Sequence, residues 1–234
     1  MVIALLPGDA RQTILGELLA SDGFDVRPYA PGMTADIFLF PLPTGQHPAL
    51  DSLIPGSRAL TALAKTGRTD VQMWDYFVPE AVQLQNAAIT AEAAIWEAQR
   101  QRDTVLLGAN VLILGFGRIG QALAPRLRAL GAEVTVYARR AESRALAEGM
   151  ACRTLETLPA AVQGYDILFN TIPAPVLDAA PDCLTLELAS APGGFRDPAG
   201  VIPARGLPGS YAPRSAAEAL HASIRRILQR EGLS

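Results

Sequence analysis

Short apolar runs bounded by polar turns alternate along the chain with stretches in which apolar residues recur every three or four positions. Val2 to Leu6 and Asp36 to Phe40 read as buried strands, and GDARQTILGELLASDG between them reads as a short helix ending at Gly23. Ser57 to Lys65 is expected to form a helix with its serine as cap, and Val71 to Trp74 a short strand. From about Thr90 to Arg102 the sequence TAEAAIWEAQRQR is a helical pattern with no breaker, suited to joining two domains. Alternation of this kind points to parallel α/β layering.

From Asn110 onward the rhythm becomes regular. Strands are expected at 111–114, 133–137, near 151–154, 166–170, 183–188 and 200–204, with helices or short turns between them. In the final segment Ser215 and Glu218 have capping-box spacing, Leu220, Ile224, Ile227 and Leu228 form an apolar stripe, and Gly232 follows the end. That helix, 215–230, is expected to pack, and the first domain is a candidate surface for it.

The junction of the first two strands of this region carries chemistry. An apolar strand (Val111 to Leu114) enters Gly115, Gly117 and Gly120, and a helical pattern with Ile119, Leu123, Leu127 and Leu130 on one face follows, ending at Gly131. In a dinucleotide-binding βαβ unit the first glycine permits the tight turn, the second lets a pyrophosphate approach the backbone, and the third allows close helix packing. The helix N-terminus then holds the phosphates. Pro125 falls inside the predicted helix and should kink it. The fold class is therefore α/β, a doubly wound parallel sheet of the Rossmann type in the order 3-2-1-4-5-6, with a smaller N-terminal α/β domain. The expected division is 1–89 as a substrate or interaction domain and 90–234 as the cofactor domain, with 90–103 as the linking helix.

The end of the second strand selects the cofactor. An NAD site usually places Asp or Glu roughly 20 residues after the glycines, to accept hydrogen bonds from the ribose hydroxyls. Here the chain reads Tyr137, Ala138, Arg139, Arg140. With no carboxylate to repel a 2′-phosphate and two guanidinium groups to bind one, the reading is NADP(H) rather than NAD(H). The same arginines would also serve as a solvated helix start.

Composition narrows the classes. The chain has 234 residues, half of them apolar, enough for one large or two small domains, and a net charge of −3 that offers no basic footprint for nucleic acid. The apolar run Val2 to Leu6 is too short for a signal peptide and has no basic leader. No stretch approaches the ~20 apolar residues that span a bilayer. Cys152 and Cys183 have no second Cys or His at ligand spacing, which suits a reducing cytoplasm and argues against a zinc site. His221 lies among apolar neighbours on a predicted helix and reads as a packing or surface residue rather than a catalytic one; His47, in a proline-rich loop, fits either role.

Ligands of open α/β sheets bind beyond the carboxyl ends of the strands. Three later segments should meet there: Phe169-Asn170-Thr171-Ile172-Pro173, Leu186-Glu187-Leu188-Ala189-Ser190-Ala191-Pro192-Gly193-Gly194, and Arg205 to Ser215. Asn and Pro in the first, and Pro-Gly-Gly in the second, would also suffice as ordinary turn formers. The candidate cofactor residues are Gly115, Phe116, Gly117, Arg118, Ile119, Gly120, Ala138, Arg139, Arg140, Asn170, Thr171, Ile172, Pro173 and Ala189.

Taken together, LGFGRIGQALAPRLRALGAEVTVYAR, FNTIP, ELASAPGGF and GLPGSYAPRSAAEAL resemble the dipicolinate synthase A-subunit family, as do GDARQ (Gly8 to Gln12) and the stretch Asn86 to Glu92. Hydroxyacid dehydrogenases share the glycine turn but not the pair ASAPGG and GLPGSYAP. The chain departs from the family in a shorter first domain, in Glu187 where Asp is usual, and in Ala191 where a basic residue is usual. Ile89 and Ala93 also replace the Pro and Gly that flank the family's Thr-x-Glu element.

The resemblance implies an NADP-dependent oxidoreductase that oxidises a dihydro- or tetrahydrodipicolinate-type precursor to dipicolinate in the cytoplasm of sporulating cells. It also implies a flavoprotein-like second subunit. For a small dicarboxylate substrate Arg11 is the first candidate binding group, Glu92 and Asp9 are candidates for proton transfer, and Ser190 for a hydrogen bond to substrate or nicotinamide. Asp9 would equally serve as a helix cap, and Glu92 as a first-turn acid. Two other readings remain: a reductase of another carboxylated imine or hydroxyacid, and a non-catalytic NADP(H)-binding partner. A homodimer is the expected assembly.

Overall fold

Runs of three to five residues, apolar and buried in the central positions, become the strands of two sheets in which every pairing is parallel. The computed structural model describes residues 1–159 and 162–233. In chain order the elements are β1 (Val2–Leu5), α1 (Ala10–Ser21), β2 (Asp25–Pro28), β3 (Ile37–Leu39), α2 (Pro48–Asp51), β4 (Arg58–Thr61), β5 (Gln72–Asp75) and α3 (Glu80–Arg100). They continue with β6 (Asn110–Leu114), α4 (Arg118–Ala129), β7 (Glu133–Tyr137), α5 (Ala141–Gly149), β8 (Arg153–Leu155), β9 (Ile167–Asn170), β10 (Leu184–Glu187), β11 (Val201–Pro203), α6 (Leu207–Tyr211) and α7 (Pro213–Arg230). Two units result: Met1–Asn86 together with the chain from Pro208 onward, and Ala87–Leu207.

The first unit carries the sheet β2-β1-β3-β4-β5. On one face Leu15 and Leu19 of α1 meet Leu220, Ile224 and Ile227 of α7 over Ile3, Ile37 and Leu60. On the other, Phe38, Phe40, Leu50, Leu53 and Val71 form a second cluster. Polar contacts fix the packing. Asp22, at the C-terminus of α1, forms an ion pair with Arg225 and contacts His221 of α7, each at 2.6 Å. The Tyr76 hydroxyl, fully buried, donates to the Phe40 carbonyl at 2.8 Å, and Ser223 donates to the Tyr76 carbonyl at 2.8 Å.

Several expectations are corrected here. Ser57 to Lys65 is not a helix; it contains β4, whose Ala59, Leu60 and Thr61 are buried because a central parallel strand is covered on both faces. A short continuous apolar run cannot by itself distinguish the two cases. β2 escapes the pattern altogether, since it is an edge strand with mostly exposed side chains. The linking helix begins at Glu80, well before Thr90. Ser215 does not cap the last helix: Ala212 is the cap residue, with no side-chain hydrogen bond, and Pro213 opens the helix. His47 proves to be a cap, its Nδ1 accepting from the Ala49 N–H at 3.2 Å.

The second unit carries β11-β10-β9-β6-β7-β8, which is the 3-2-1-4-5-6 arrangement. Its strand order reverses between β6 and β9, so the crevice lies beyond the carboxyl ends of those two strands. The helix α4 runs through Pro125 to Ala129.

Candidate functional site

Val111 to Leu114 are all fully buried, which makes β6 the central strand and delivers Gly115 to the carboxyl edge of the sheet. The glycines there have separate reasons. Gly115 adopts φ +91°, and a Cβ on it would lie 2.5 Å from Thr171 Oγ1 and 2.8 Å from Ile172 Cγ1. A side chain at Gly120 would strike the Gly115 carbonyl oxygen at 2.5 Å, so this glycine lets the first turn of α4 sit on the loop itself. Gly117 is different: its backbone is extended and a Cβ would meet nothing within 4 Å. The space above Gly117 is what a pyrophosphate needs, and Gly117 as N-cap offers no side chain to the first-turn N–H groups of α4. No acidic residue occupies that turn.

A cleft of about 170 Å³ opens here, lined by Gly115, Phe116, Gly117, Tyr137, Ala138, Arg139, Arg140, Ser143 and Ile172. Thus seven of the residues singled out for the cofactor line one cavity. Arg118, Ile119 and Gly120 form the start of α4 beside it. Arg139 and Arg140 are exposed, and among the described residues neither is paired with a carboxylate. One acid lies close in sequence, Glu142 in the first turn of α5, but it does not line the cleft. Two contributors were not legible beforehand. Ser143, only 9 % exposed, faces the cavity. Arg144 donates from Nη1 to the carbonyls of Ala138 (2.9 Å) and Arg139 (2.7 Å) and pairs with Glu156 at 3.3 Å, fixing the backbone that carries the two arginines.

The end of β9 supports the cleft from beneath. Thr171 Oγ1 donates to the Leu114 carbonyl at 2.8 Å, which ties β9 to β6. Asn170 is fully buried and its amide is spent internally: Nδ2 donates to Ile172 O (2.9 Å) and Glu187 Oε1 (2.7 Å), and Oδ1 accepts from the Ile172 N–H (3.1 Å). The side chain therefore shapes the loop, while Ile172 reaches the cavity and Pro173 follows it at the surface. At the end of β10, Ala189 is buried and Ser190 exposed.

The remaining candidates fall in different units. Glu92, on α3 in the second unit, is exposed. Arg11 lies in the first, at the start of α1, beside the point where the strand order reverses between β1 and β3. It is 7 % exposed and heavily engaged: Nη2 donates to Asp9 Oδ2 (2.6 Å) and to the Leu42 carbonyl (3.0 Å), and Nε donates to both Asp9 oxygens (3.0 and 3.1 Å). Asp9 also caps α1, accepting from the Arg11 N–H at 3.0 Å. Gly209 packs so closely on this pair that a Cβ there would overlap Asp9 Oδ2. Among the described residues Nη1 is the guanidinium nitrogen left to meet a ligand.

A larger cavity of about 810 Å³ in the second unit gathers Tyr165, Leu177, Cys183 and Arg196. Its lining comes from the segments around β9 and β10 and shares no residue with the cleft at Gly115 and Gly117. Burial holds the Cys183 thiol above its ordinary range, which favours the unreactive form. No helix among the described residues is long and apolar enough to cross a membrane.

Comparison with known proteins agrees with this geometry. Residues 59–176 match the family model described as D-isomer specific 2-hydroxyacid dehydrogenase, NAD binding domain. The A subunit of dipicolinate synthase from Bacillus subtilis (strain 168) is 32 % identical over 166 residues, covering 65 % of this chain and 56 % of that protein. The chain thus aligns with little more than half of that relative's length. Among solved structures, the dipicolinate synthase A subunit from Bacillus halodurans superposes with a TM-score of 0.80 at 24 % identity, covering 97 % of this chain and 96 % of that one. Its Bacillus subtilis counterpart gives 0.78 at 24 % identity, covering 98 % and 96 %. The glycine turn, the doubly wound sheet and the family match lead to one conclusion: the chain belongs to the D-isomer specific 2-hydroxyacid dehydrogenase NAD-binding family and is a homologue of the dipicolinate synthase A subunit.

Proposed function

We propose that this chain is an NADP-dependent oxidoreductase that oxidises a dihydro- or tetrahydrodipicolinate-type precursor to dipicolinate. The observation that carries the cofactor reading is the cleft itself, open above Gly117 and flanked by two arginines with no carboxylate partner among the described residues. Bound NADP⁺ supplies a hydride acceptor. Loss of water from the hydroxylated precursor leaves a dihydropyridine dicarboxylate; that ring then gives up a hydride and a proton and becomes aromatic. Aromatisation provides much of the driving force, so positioning matters more than a strong base.

Each side chain then has a task. Arg139 and Arg140 hold the 2′-phosphate, Ser143 adds a hydroxyl, and Arg144 keeps the arginine-bearing backbone in place. Arg11 offers Nη1 to one substrate carboxylate, with Asp9 orienting the guanidinium rather than moving protons, because both of its oxygens are already engaged. Glu92 is exposed and is the candidate proton acceptor, and Ser190 a hydrogen-bond donor. A flavoprotein-like second subunit, a homodimer and a role in sporulation belong to the same proposal; of these, a partner subunit draws support from the relative, which is named as a subunit of a synthase. The family match favours one alternative, hydride transfer to another small carboxylated imine or between a hydroxyacid and its oxo acid.

The test supplies the condensation product of aspartate semialdehyde and pyruvate with NADP⁺, with and without a flavoprotein partner, and follows dipicolinate by its ultraviolet absorbance. Product formation is expected. No product under either condition, with NADPH binding intact, would transfer support to the alternative.

A further inference from the structure

Glu187 is a carboxylate at the end of a central strand, 5 % exposed, in a position where a buried charge must be compensated. Its compensation is entirely local. Oε1 accepts from Asn170 Nδ2 at 2.7 Å and from the Ala189 N–H at 2.9 Å, and Oε2 accepts from the Gly194 N–H at 2.8 Å. From the other side Arg205 takes the carbonyls of the same loop, Nε donating to Ala189 O at 2.7 Å and Nη2 to Pro192 O at 3.4 Å. Gly193, at φ +94°, passes between the two groups: a Cβ there would lie 2.6 Å from Glu187 Oε2 and 2.9 Å from Arg205 Nη2. Loop 189–194 is thus held on its N–H side by a carboxylate and on its C=O side by a guanidinium. The N–H groups of Ser190 and Ala191, between those anchors, have no backbone partner among the described residues.

The loop leaves β10, on the side of the β6/β9 crevice opposite β7 and its arginines. A dinucleotide with its adenosine end at Arg139 and Arg140 therefore extends its nicotinamide toward β9 and β10. We infer that Glu187, braced by Arg205, is a positioning residue for the nicotinamide half of the cofactor, holding loop 189–194 so that the N–H groups of Ser190 and Ala191 can meet it. This rests on the cofactor reading above and adds a division of labour to it: one end of the crevice is set by arginine charge, the other by a buried carboxylate. Because all three acceptor contacts end on N–H donors, the isosteric Glu187→Gln turns a donor toward a donor and should reshape the loop without emptying the space.

Two ligands separate the halves. NADPH carries the nicotinamide; adenosine 2′,5′-bisphosphate carries only the adenosine end with its 2′-phosphate. In fluorescence titration and competition, Glu187→Gln is expected to weaken NADPH at least tenfold and the bisphosphate by less than twofold. Arg205→Met, at an exposed position, should show the same selectivity with a smaller loss and serves if the first variant does not fold. Equal weakening of both ligands, or unchanged NADPH affinity in a folded variant, overturns the inference. Failure of the unaltered protein to bind either ligand would instead overturn the cofactor reading beneath it.

Discussion

Gly117→Ala is the sharpest perturbation available, because the structure separates its effect on folding from its effect on binding. The residue has φ −79° and ψ −163°, a conformation open to any amino acid, and its added methyl group would meet no atom within 4 Å. Folding should therefore change little: lower chain entropy in the unfolded state contributes about 0.4–1 kcal/mol of stability, and the poorer preference of Ala for this N-cap position offsets it by a similar amount. The methyl group would occupy the space proposed for the pyrophosphate, where overpacking costs about 1–3 kcal/mol. That corresponds to a loss in affinity of roughly five- to 150-fold. Gly120→Ala is the control, since its methyl group would meet a backbone oxygen at 2.5 Å. There the same ~1–3 kcal/mol of overpacking falls on the fold. Each kcal/mol should lower Tm by about 2–4 °C in a chain of this size. Thermal melts without ligand and NADPH fluorescence titration of both variants give the two readouts. A Gly117→Ala protein that binds NADPH like the parent would refute the placement of the phosphates, and one that melts several degrees lower would refute the reading of the open space.

Three further outcomes are expected. Replacing Arg139 and Arg140 together by Ala should reduce the preference for NADPH over NADH by about tenfold or more, since each charge-assisted hydrogen bond contributes roughly 1.5–3 kcal/mol, and parallel titrations with the two cofactors measure it; an unchanged ratio would remove the arginines from the site. For Asp22, burial acts to raise the carboxyl, but hydrogen bonds from Arg225 and His221 and their charges outweigh it and hold the group below the ordinary range. A depressed carboxylate contributes stability that is present above its unfolded value of about 3.9 and is lost as pH falls through the folded value. Urea melts over an acid series should show the parent losing stability more steeply than Asp22→Asn in that window, and parallel curves would contradict it. Tyr76→Phe leaves the Phe40 carbonyl without its buried donor and should cost about 1–3 kcal/mol in urea unfolding; a neutral result would mean that another donor reaches this carbonyl.

Legibility in the sequence followed the range of the interactions involved. The stretch from Val111 to Arg140 announced strand, turn, helix and strand because its requirements are local: an apolar run, glycines at fixed offsets, one helical face, and a second apolar run. Its far end raised the cofactor question from residue chemistry alone, through an absent acid and two arginines. Local logic does not suffice for Ser57 to Lys65, since β4 is a strand by virtue of neighbours on both sides. The apparent capping box at Ser215 and Glu218 failed for a related reason: an earlier proline starts that helix and places both residues inside it.

Side-chain roles show the same division. Gly115, Gly117 and Gly120 were recognisable as a set, but only the structure assigns each its reason, a contact with Thr171, an open space, and a contact with the loop carbonyl. Asn170 looked like a ligand-facing amide and is instead consumed by Ile172 and Glu187. Ser143 and Arg144 lie outside every motif, and Glu187 and Arg205, although within site segments, have roles the sequence does not show, because their partners are set by how loops fold back on strand ends. The sequence by itself determined the class of fold and the position of the dinucleotide turn, since both rest on periodicity and on the conformations glycine permits. Tertiary structure alone decided which polar groups remain available to a ligand, because that depends on which donors and acceptors have already been satisfied by residues distant along the chain.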